Sequence, residues 1–331
     1  MKVRAKGKSE RVISGNISIS SASNGITVFY GEERDDVQSV TVKGSSMRIK
    51  GNYYSGQIKI LKYKGKISAI QKLDLEEYVA GVVPGEMPVS WNTEALKAQA
   101  ILARTFGYYH ILKKRSVFDL GSTTNYQIYK GNVNIPATIT RIVKETESIV
   151  ATYKGYPIVI FYHSTCGGYT ESSENLWGKG FPYLSTVECT YCMDSPRYEW
   201  EYSLTMDDFT EVINKSCDMD APFIKDIGHS GKSKAGRVKK LIFQGPYGEV
   251  CSMSGKDFRA LMGANKLKSL FITGIELDGY NVIFSGRGYG HGVGMCQYGA
   301  NRLAELGHGH KYILEFYFRG IELKNISQLK K

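Results

Sequence analysis

Apolar and polar side chains alternate in short runs over residues 1–70. "ISGNISISSASNGITVFYG" and "SVTVKGSSMRIKGNYYSGQIKILKYKGKISAI" keep a period of two, broken by Asn-Gly and other glycine turns, which predicts a series of short strands. The period changes after residue 70. Asp74 and Glu77 have the spacing of a capping box, and "LEEYVAGVV" is predicted to be a short helix that Pro84-Gly85 ends. Beyond Pro88, Ser90 or Asn92 can cap a second helix running to about Lys113. Ala95, Ala98, Leu102, Phe106 and Tyr109 form one apolar stripe on it, and Leu96, Ala100, Ala103 and Gly107 a second. A helix apolar on two faces is expected to be buried.

Two further strands are predicted at 149–153 and 157–162, flanking a Lys154-Gly155 turn. A polar, glycine-bearing loop starts at His163. From about 195 to 281 the composition shifts: "LTMDDFTEVINK" and "SGKDFRALMG" read as short helices, and "RVKKLIFQGPYGEVCSM" as a hairpin. A strand at 282–285, a glycine-rich loop and a helix over 295–306, stopped by Gly307, complete the chain. The expected fold class is α+β. Its expected parts are a β-rich N-terminal region (1–70), a mixed core with buried helices (71–194), a smaller α+β insertion (195–281) and a return to the core (282–331).

A length of 331 residues suggests about two domains, and 42% hydrophobic residues with 12% aromatics mark a folded chain. The 23 tyrosines and 36 glycines suit loop-rich β structure with open sugar- or peptide-binding surfaces. A net charge of +11 favours an anionic partner. Nucleic acid is disfavoured, because the basic residues are dispersed and the densest stretch, "KSKAGRVKK", reads as a hairpin flank. A cell-wall polymer or an acidic membrane surface fits the charge. No apolar run approaches membrane-spanning length, and "KVRAKGKSER" after Met1 lacks a signal core, which taken alone predicts a soluble cytoplasmic chain.

Glu86 is the first candidate for chemistry. It follows Val82, Val83, Pro84 and Gly85 and precedes Met87, Pro88, Val89 and Trp91. Among such neighbours a carboxyl is expected to stay protonated near neutral pH, as a general acid must. Gln99 and Arg104 lie in the buried helix, either as satisfied core groups or aimed into a cleft beside Glu86.

His163-x-x-Cys166 and Cys189-x-x-Cys192 have the form of two zinc half-sites. The alternative is a Cys189–Cys192 disulfide with Cys166 free. A closed four-ligand site would be structural, whereas an open position would admit zinc hydrolysis. "GRGYGHGVGMCQYGA" resembles a dinucleotide loop only weakly, since no βαβ continuation follows. Its glycines permit positive φ and a close approach to a ligand or to another loop. His291, Gln297 and Tyr298 are its hydrogen-bonding side chains. A hydrolytic glycosidase normally needs two carboxylates. The available partners are Glu94, expected on an exposed helical turn, and Glu171 and Glu174, expected to be solvated. A single placed acid suggests a substrate that supplies its own nucleophile. There is no G-x-S-x-G elbow and no H-E-x-x-H helix.

"LEEYVAGVVPGEMP", "LKAQAILARTFGYY", "FYHSTCGGYTESSENLW" and "GRGYGHGVGMCQYGA", in this order between Leu75 and Ala300, resemble the SpoIID family of sporulation proteins. The resemblance implies a membrane-anchored lytic transglycosylase that cuts peptide-stripped glycan strands during forespore engulfment, alongside an amidase (protein P) and a membrane protein (protein M). It implies an extracytoplasmic location between mother cell and forespore, with an N-terminal anchor not included in this sequence. It carries the catalytic acid onto Glu86 and the buried polar helix positions, expected to bind substrate, onto Gln99 and Arg104, with Arg104 also able to steady the carboxylate. Tyr162, Ser164, Trp177, His291 and Gln297 would line the glycan groove, and His163, Cys166, Cys189 and Cys192 would hold zinc in a structural role. Cys166 and Cys296 depart from the family pattern, where many relatives carry Asn and Ser. Competing expectations are a non-catalytic peptidoglycan scaffold for an amidase, a two-carboxylate muramidase and a zinc amidase.

Overall fold

A computed structural model describes residues 1–8, 10–13, 15–113, 117–121 and 126–329. The described chain divides into two compact units. The first holds Met1–Ser90, Gln99–Val150 and Asn325–Gln328; the second holds Trp91–Ala98, Ala151–Lys324 and Leu329. The fold is α+β.

The first unit begins with strands β1 (Lys2–Ala5), β2 (Glu10–Val12), β3 (Ser18–Ala22), β4 (Gly25–Tyr30), β5 (Glu33–Val37), β6 (Ser39–Ile49), β7 (Asn52–Tyr63) and β8 (Lys66–Lys72). They form an antiparallel sheet in the order β2-β1-β6-β7-β8 and a three-stranded meander β3-β4-β5. The alternation seen in the sequence decides which faces meet. Val3, Ile26 and Val28, Val40 and Val42, and Ile58 and Ile60 interleave in one core, with polar residues between them turned outward. Each such burial is worth about 1.5–3 kcal/mol.

Three helices follow: α1 (Leu75–Glu86), α2 (Thr93–Leu112) and α3 (Ala137–Glu145). Asp74 is the N-cap of α1 but makes no side-chain capping bond, so the expected capping box does not form. Nor does Pro84-Gly85 end the helix. Proline loses its own N–H bond and crowds the carbonyl four residues back, but its φ suits a helix and α1 runs on through Pro84 for two more residues of its last turn. The N–H of Met87 closes that turn on the Val83 carbonyl at 3.0 Å, and Glu86 becomes the final helical residue. On α2, Asn92 is the cap, its Oδ1 accepting the Glu94 N–H at 3.0 Å. Ala95, Leu96, Ala98, Gln99 and every residue from Ala100 to Thr105 are buried, as two apolar faces require.

The second unit contains β9 (Ile149–Tyr153, which enters from the first unit), β10 (Tyr156–Pro157), β11 (Tyr162–His163), β12 (Gly168–Tyr169), α4 (Ser173–Trp177) and β13 (Glu188–Cys189). Then come β14 (Glu199–Thr205), α5 (Met206–Cys217), β15 (Asp226–His229), β16 (Lys240–Gln244), β17 (Val250–Ser254), α6 (Gly255–Met262), β18 (Ile272–Leu277) and β19 (Asn281–Arg287). β20 (Met295–Cys296), α7 (Gln297–Glu305), α8 (His310–Tyr317) and β21 (Glu322–Asn325) follow. Sheets β14-β19-β18 and β15-β16-β17 enclose a core built on Phe209, Phe243, Phe258 and Phe284. Helices α5 and α6 are started by Thr205 and Ser254, whose hydroxyls accept the N–H of Asp208 and Asp257 at 3.1 Å. A disulfide between Cys217 and Cys251 ties the end of α5 to β17. The basic stretch "KSKAGRVKK" is the connection between β15 and β16, closed by a Lys232–Val238 bridge.

Candidate functional site

Glu86 sits half-buried at the C-terminal end of α1, and its placement depends on two glycines. Gly81 and Gly85 are four apart and share one helical face. Across that face runs the segment 127–131. A Cβ at Gly81 would strike the Tyr129 ring, and one at Gly85 would lie 2.7 Å from the Ile128 carbonyl oxygen. The close approach brings the Ile128 N–H onto Glu86 Oε1 at 2.6 Å. The segment is tied down elsewhere. Tyr78 donates to Gln127 Oε1 (2.8 Å) and stacks on Tyr129, which donates to Gln71 Oε1 (2.7 Å) on β8. Asn132 accepts from the Ser55 N–H (2.8 Å) and from Gln71 Nε2 (2.9 Å). Glu86 is therefore held by a strap whose far end is fastened to the N-terminal sheet.

Arg104 does not serve Glu86. Its buried guanidinium grips Glu76 through Nε (2.8 and 3.1 Å) and Nη2 (2.7 Å) and donates to the Ile149 and Val143 carbonyls at 3.1 and 3.4 Å. Glu76 lies in the first turn of α1, ten residues from Glu86, about 15 Å along the helix at 1.5 Å per residue. The fork locks α1 to α3 and to the start of β9, so the expected role beside the acid gives way to a structural one. Gln99 is fully buried on α2.

In the second unit four thiols converge. The Sγ atoms of Cys166, Cys189, Cys192 and Cys296 all lie within 4.8 Å of one another, every residue is buried, and none is in a disulfide. The expected pair of half-sites is corrected in one member, with Cys296 in the place given to His163. His163 instead turns its Nδ1–H to the Val293 carbonyl at 3.1 Å. Its Nε2 has no hydrogen-bond partner among the described residues. Burial, with the nearby His291 and Arg237, pushes its pKa well below the usual value, so the ring is neutral.

The exchange arises from pairing across 133 residues (296 − 163), where β11 and β20 run parallel and match Tyr162 with Met295 and His163 with Cys296. Hydrogen bonds from Cys166 and Cys189 pull the Cys192 thiol down, while those from Cys189 and Cys192 push Cys166 up and burial pushes Cys296 up. A regular tetrahedron of thiolates around zinc, at about 2.3 Å, separates the sulfurs by about 3.8 Å. The donor set fits such an ion and excludes hard cations.

The glycine-rich loop approaches protein, not a dinucleotide. Gly288, Gly290, Gly292 and Gly294 all have positive φ, +76° to +115°. A Cβ at Gly288 would lie 2.7 Å from the Thr165 carbonyl, one at Gly290 2.8 Å from His163 Cβ, and one at Gly292 2.7 Å from Arg237 Nε. The N–H groups of Gly288, Tyr289 and Gly290 are taken by the carbonyls of Tyr198, Thr165 and Lys268.

His291 accepts the Val293 N–H on Nδ1 at 3.0 Å, and burial with the charges of Arg259 and Arg237 lowers its pKa to about 4. It is neutral, and its ring lies 5.7 Å from Trp177 and 5.9 Å from Phe161. Trp177, exposed at 38%, packs on Phe161 with centroids 4.3 Å apart and offers an open aromatic face. Tyr162 and Ser164 are half-buried, the Ser164 carbonyl accepting the Tyr298 N–H at 3.1 Å, and Gln297 is buried at the start of α7.

Two of the three other candidate carboxylates are committed. Glu94 bonds Lys97 at 2.8 Å and His310 through both ring Nδ1 (2.6 Å) and backbone N–H (2.8 Å). Glu171, expected to be solvated, is buried. It accepts from the Ser172 N–H (2.8 Å), from Asn175 (3.0 Å) and from the Ser233 hydroxyl. Glu174 is exposed on α4.

The family model for stage II sporulation protein (SpoIID) matches residues 63–153, which include α1, Glu86 and Arg104. The stage II sporulation protein D of Bacillus subtilis is 29% identical over 283 residues, covering 80% of this chain and 79% of that one. The chain belongs to the SpoIID family. An uncharacterized protein of Brachyspira hyodysenteriae is 34% identical over 286 residues, 86% of this chain and 75% of that one. The amidase enhancer of B. subtilis is 29% identical over 352 residues, 87% of this chain and 48% of that one. A second model, for a domain of unknown function, matches residues 185–294. This SpoIID chain thus carries Cys189 and Cys192 inside that second region, with Cys166 and Cys296 on either side of it. Sequence reasoning missed Ile128, Glu76 and the place of Cys296 in the thiol cluster. Cys296 had one available signal: once Cys217 and Cys251 pair, four cysteines remain.

Proposed function

We propose that this SpoIID-family chain is a peptidoglycan lytic transglycosylase acting in sporulation, with Glu86 as its single acid and base. The observation that carries the proposal is the hydrogen bond from the Ile128 N–H to Glu86 Oε1, which fixes a half-buried carboxyl at the end of a rigid helix. The commitment of Glu94 and Glu171 to other partners supports a one-carboxyl mechanism over a two-carboxylate muramidase. Glu86, protonated, donates to the glycosidic oxygen between N-acetylmuramic acid and N-acetylglucosamine. The muramic C6 hydroxyl attacks C1 of the same sugar, its proton passes to the Glu86 carboxylate, and a 1,6-anhydro ring closes. The Ile128 N–H holds the carboxyl in place and stabilises the charge it carries between the two transfers. No water is consumed.

The substrate is the glycan strand after an amidase has removed its stem peptides. The similarity to an amidase enhancer supports that partnership, as does the net charge of +11 for an anionic wall. Protein M is the membrane partner, and the site of action is the space between mother cell and forespore. Among the described residues no helix is long and apolar enough to cross a membrane. Trp177 with Phe161, and Tyr162, Ser164, His291 and Gln297, are the proposed sugar contacts. Cys166, Cys189, Cys192 and Cys296 would hold a zinc ion in a structural role, cross-linking loops, and four sulfur ligands would leave no position for a catalytic water.

Mass spectrometry of products from peptide-free strands, for wild type and Glu86→Gln together, tests the proposal. Fragments ending in anhydro-muramic acid with wild type and none with the variant are expected. Reducing ends would point to a hydrolase. An amidase stimulated equally by both proteins, with no strand products from either, would leave only a scaffold.

A further inference from the structure

The thiol cluster has a fifth buried polar neighbour, contributed by α8. Tyr317 is 1% exposed, and its hydroxyl lies 3.2 Å from Cys189 Sγ. Room for that contact exists because residue 299 is glycine: a Cβ there would lie 2.8 Å from Cys189 Sγ and overlap the Tyr317 hydroxyl. Cys296 Sγ has backbone donors instead, the N–H of Cys166 at 3.3 Å and of Gly299 at 3.4 Å. The Arg237 guanidinium, also buried, donates to the Cys166 carbonyl at 2.8 Å.

The direction of the Tyr317–Cys189 bond follows from the chemistry of a loaded site. A cysteine bound to a divalent cation has lost its proton, so its sulfur can only accept, and the phenol must donate. Four thiolates around one divalent ion carry a net charge of −2, here with every sulfur out of water. Such a charge needs donors and cations in the surrounding shell. We propose that Tyr317 is a positioning residue of the metal centre: its O–H donates to the Cys189 thiolate, spreads the charge on that sulfur and fixes the Cys189 side chain toward the ion. This rests on the metal site proposed above. It also gives α8 a role, since α8 supplies no ligand of its own yet is anchored to the centre through one oxygen.

Tyr317→Phe in the full chain is the direct test, because it removes that oxygen and keeps the ring in the core. Zinc affinity, measured by competition with a chromophoric chelator, is expected to fall ten- to a hundredfold. The thiolate-to-metal absorption of the cobalt-substituted protein is expected to shift. Circular dichroism of the metal-stripped variant should match that of stripped wild type. Unchanged affinity together with an unchanged cobalt spectrum would overturn the role of Tyr317 while leaving the site intact. A wild type that takes up no zinc or cobalt, or a Cys296→Ser variant that binds as tightly as wild type, would overturn the tetrathiolate site and this role with it.

Discussion

Gly85→Ala is the most direct probe of how Glu86 is held. Gly85 lies in the last turn of α1, where alanine is ordinarily the better helix former by about 1 kcal/mol. In an open helix the substitution would stabilise the protein. Here the new methyl would stand 2.7 Å from the Ile128 carbonyl oxygen and 3.1 Å from Ile128 Cγ2. The first neighbour is backbone, held at both ends of the strap, so it cannot swing aside as the tip of a long side chain would. Relief needs a shift of roughly half an ångström, and overpacking of that kind costs about 1–3 kcal/mol. Set against the helix gain, the net loss is about 0–2 kcal/mol, a fall of a few degrees in melting temperature.

The larger effect is expected in turnover. Moving Ile128 moves the N–H that fixes the acid, and a displacement of this order can cost about 10- to 100-fold in rate. Thermal unfolding by circular dichroism and strand cleavage at saturating substrate would be measured on the same preparation. The expected result is a small loss of stability, a large loss of kcat and little change in KM. A variant more stable than wild type by about 1 kcal/mol, with kcat intact, would show that the strap yields freely. The positional account of Glu86 would then be wrong.

Two further outcomes follow from the described contacts. Arg104→Met should lower the stability of the first unit by about 3 kcal/mol, the lower end for breaking a buried pair, because Glu76 keeps some access to water; urea unfolding would check this, and a loss below about 1 kcal/mol would show the fork to be incidental. Glu94 has its pKa set by opposing effects: partial burial pushes it up, but hydrogen bonds from Lys97 and from His310 bring it down to about 2. A depressed folded-state pKa contributes stability above the ordinary value near 4.5, and that contribution disappears as the pH falls toward 2. The urea midpoint should therefore drop over this window in wild type and drop less in Glu94→Gln; parallel curves would refute the assignment.

What was legible in the sequence was whatever depends on local period. The alternation of residues 1–70 became the two sheets around Val40, Val42, Ile58 and Ile60, and the double stripe of "LKAQAILARTFGYY" became a buried helix. The segments "LTMDDFTEVINK" and "SGKDFRALMG" became the helices starting at Met206 and Gly255. What failed did so at long range. His163-x-x-Cys166 has ligand spacing, yet the parallel pairing of β11 with β20 delivers Cys296 to the cluster and turns His163 toward Val293. Arg104 looked available because Glu76, 28 positions earlier, carries no local sign of being its partner. Glu171 looked solvated because the residue that reaches it, Ser233, is 62 positions away. The glycine-rich loop was ambiguous for the same reason, since only the fold shows that it lies against 161–166.

The four-sulfur cluster also sets an order of events during synthesis. Cys166 and the Cys189–Cys192 pair leave the ribosome together, but Cys296 follows 104 residues after Cys192, and Tyr317 later still. Until then the cluster has three of its four members. At about 5–20 residues per second the gap in synthesis lasts several seconds or longer. Closure of the cluster is in this sense a checkpoint on completeness. A chain broken off before residue 296 retains Glu86 and the whole N-terminal sheet but lacks the fourth sulfur of the cluster.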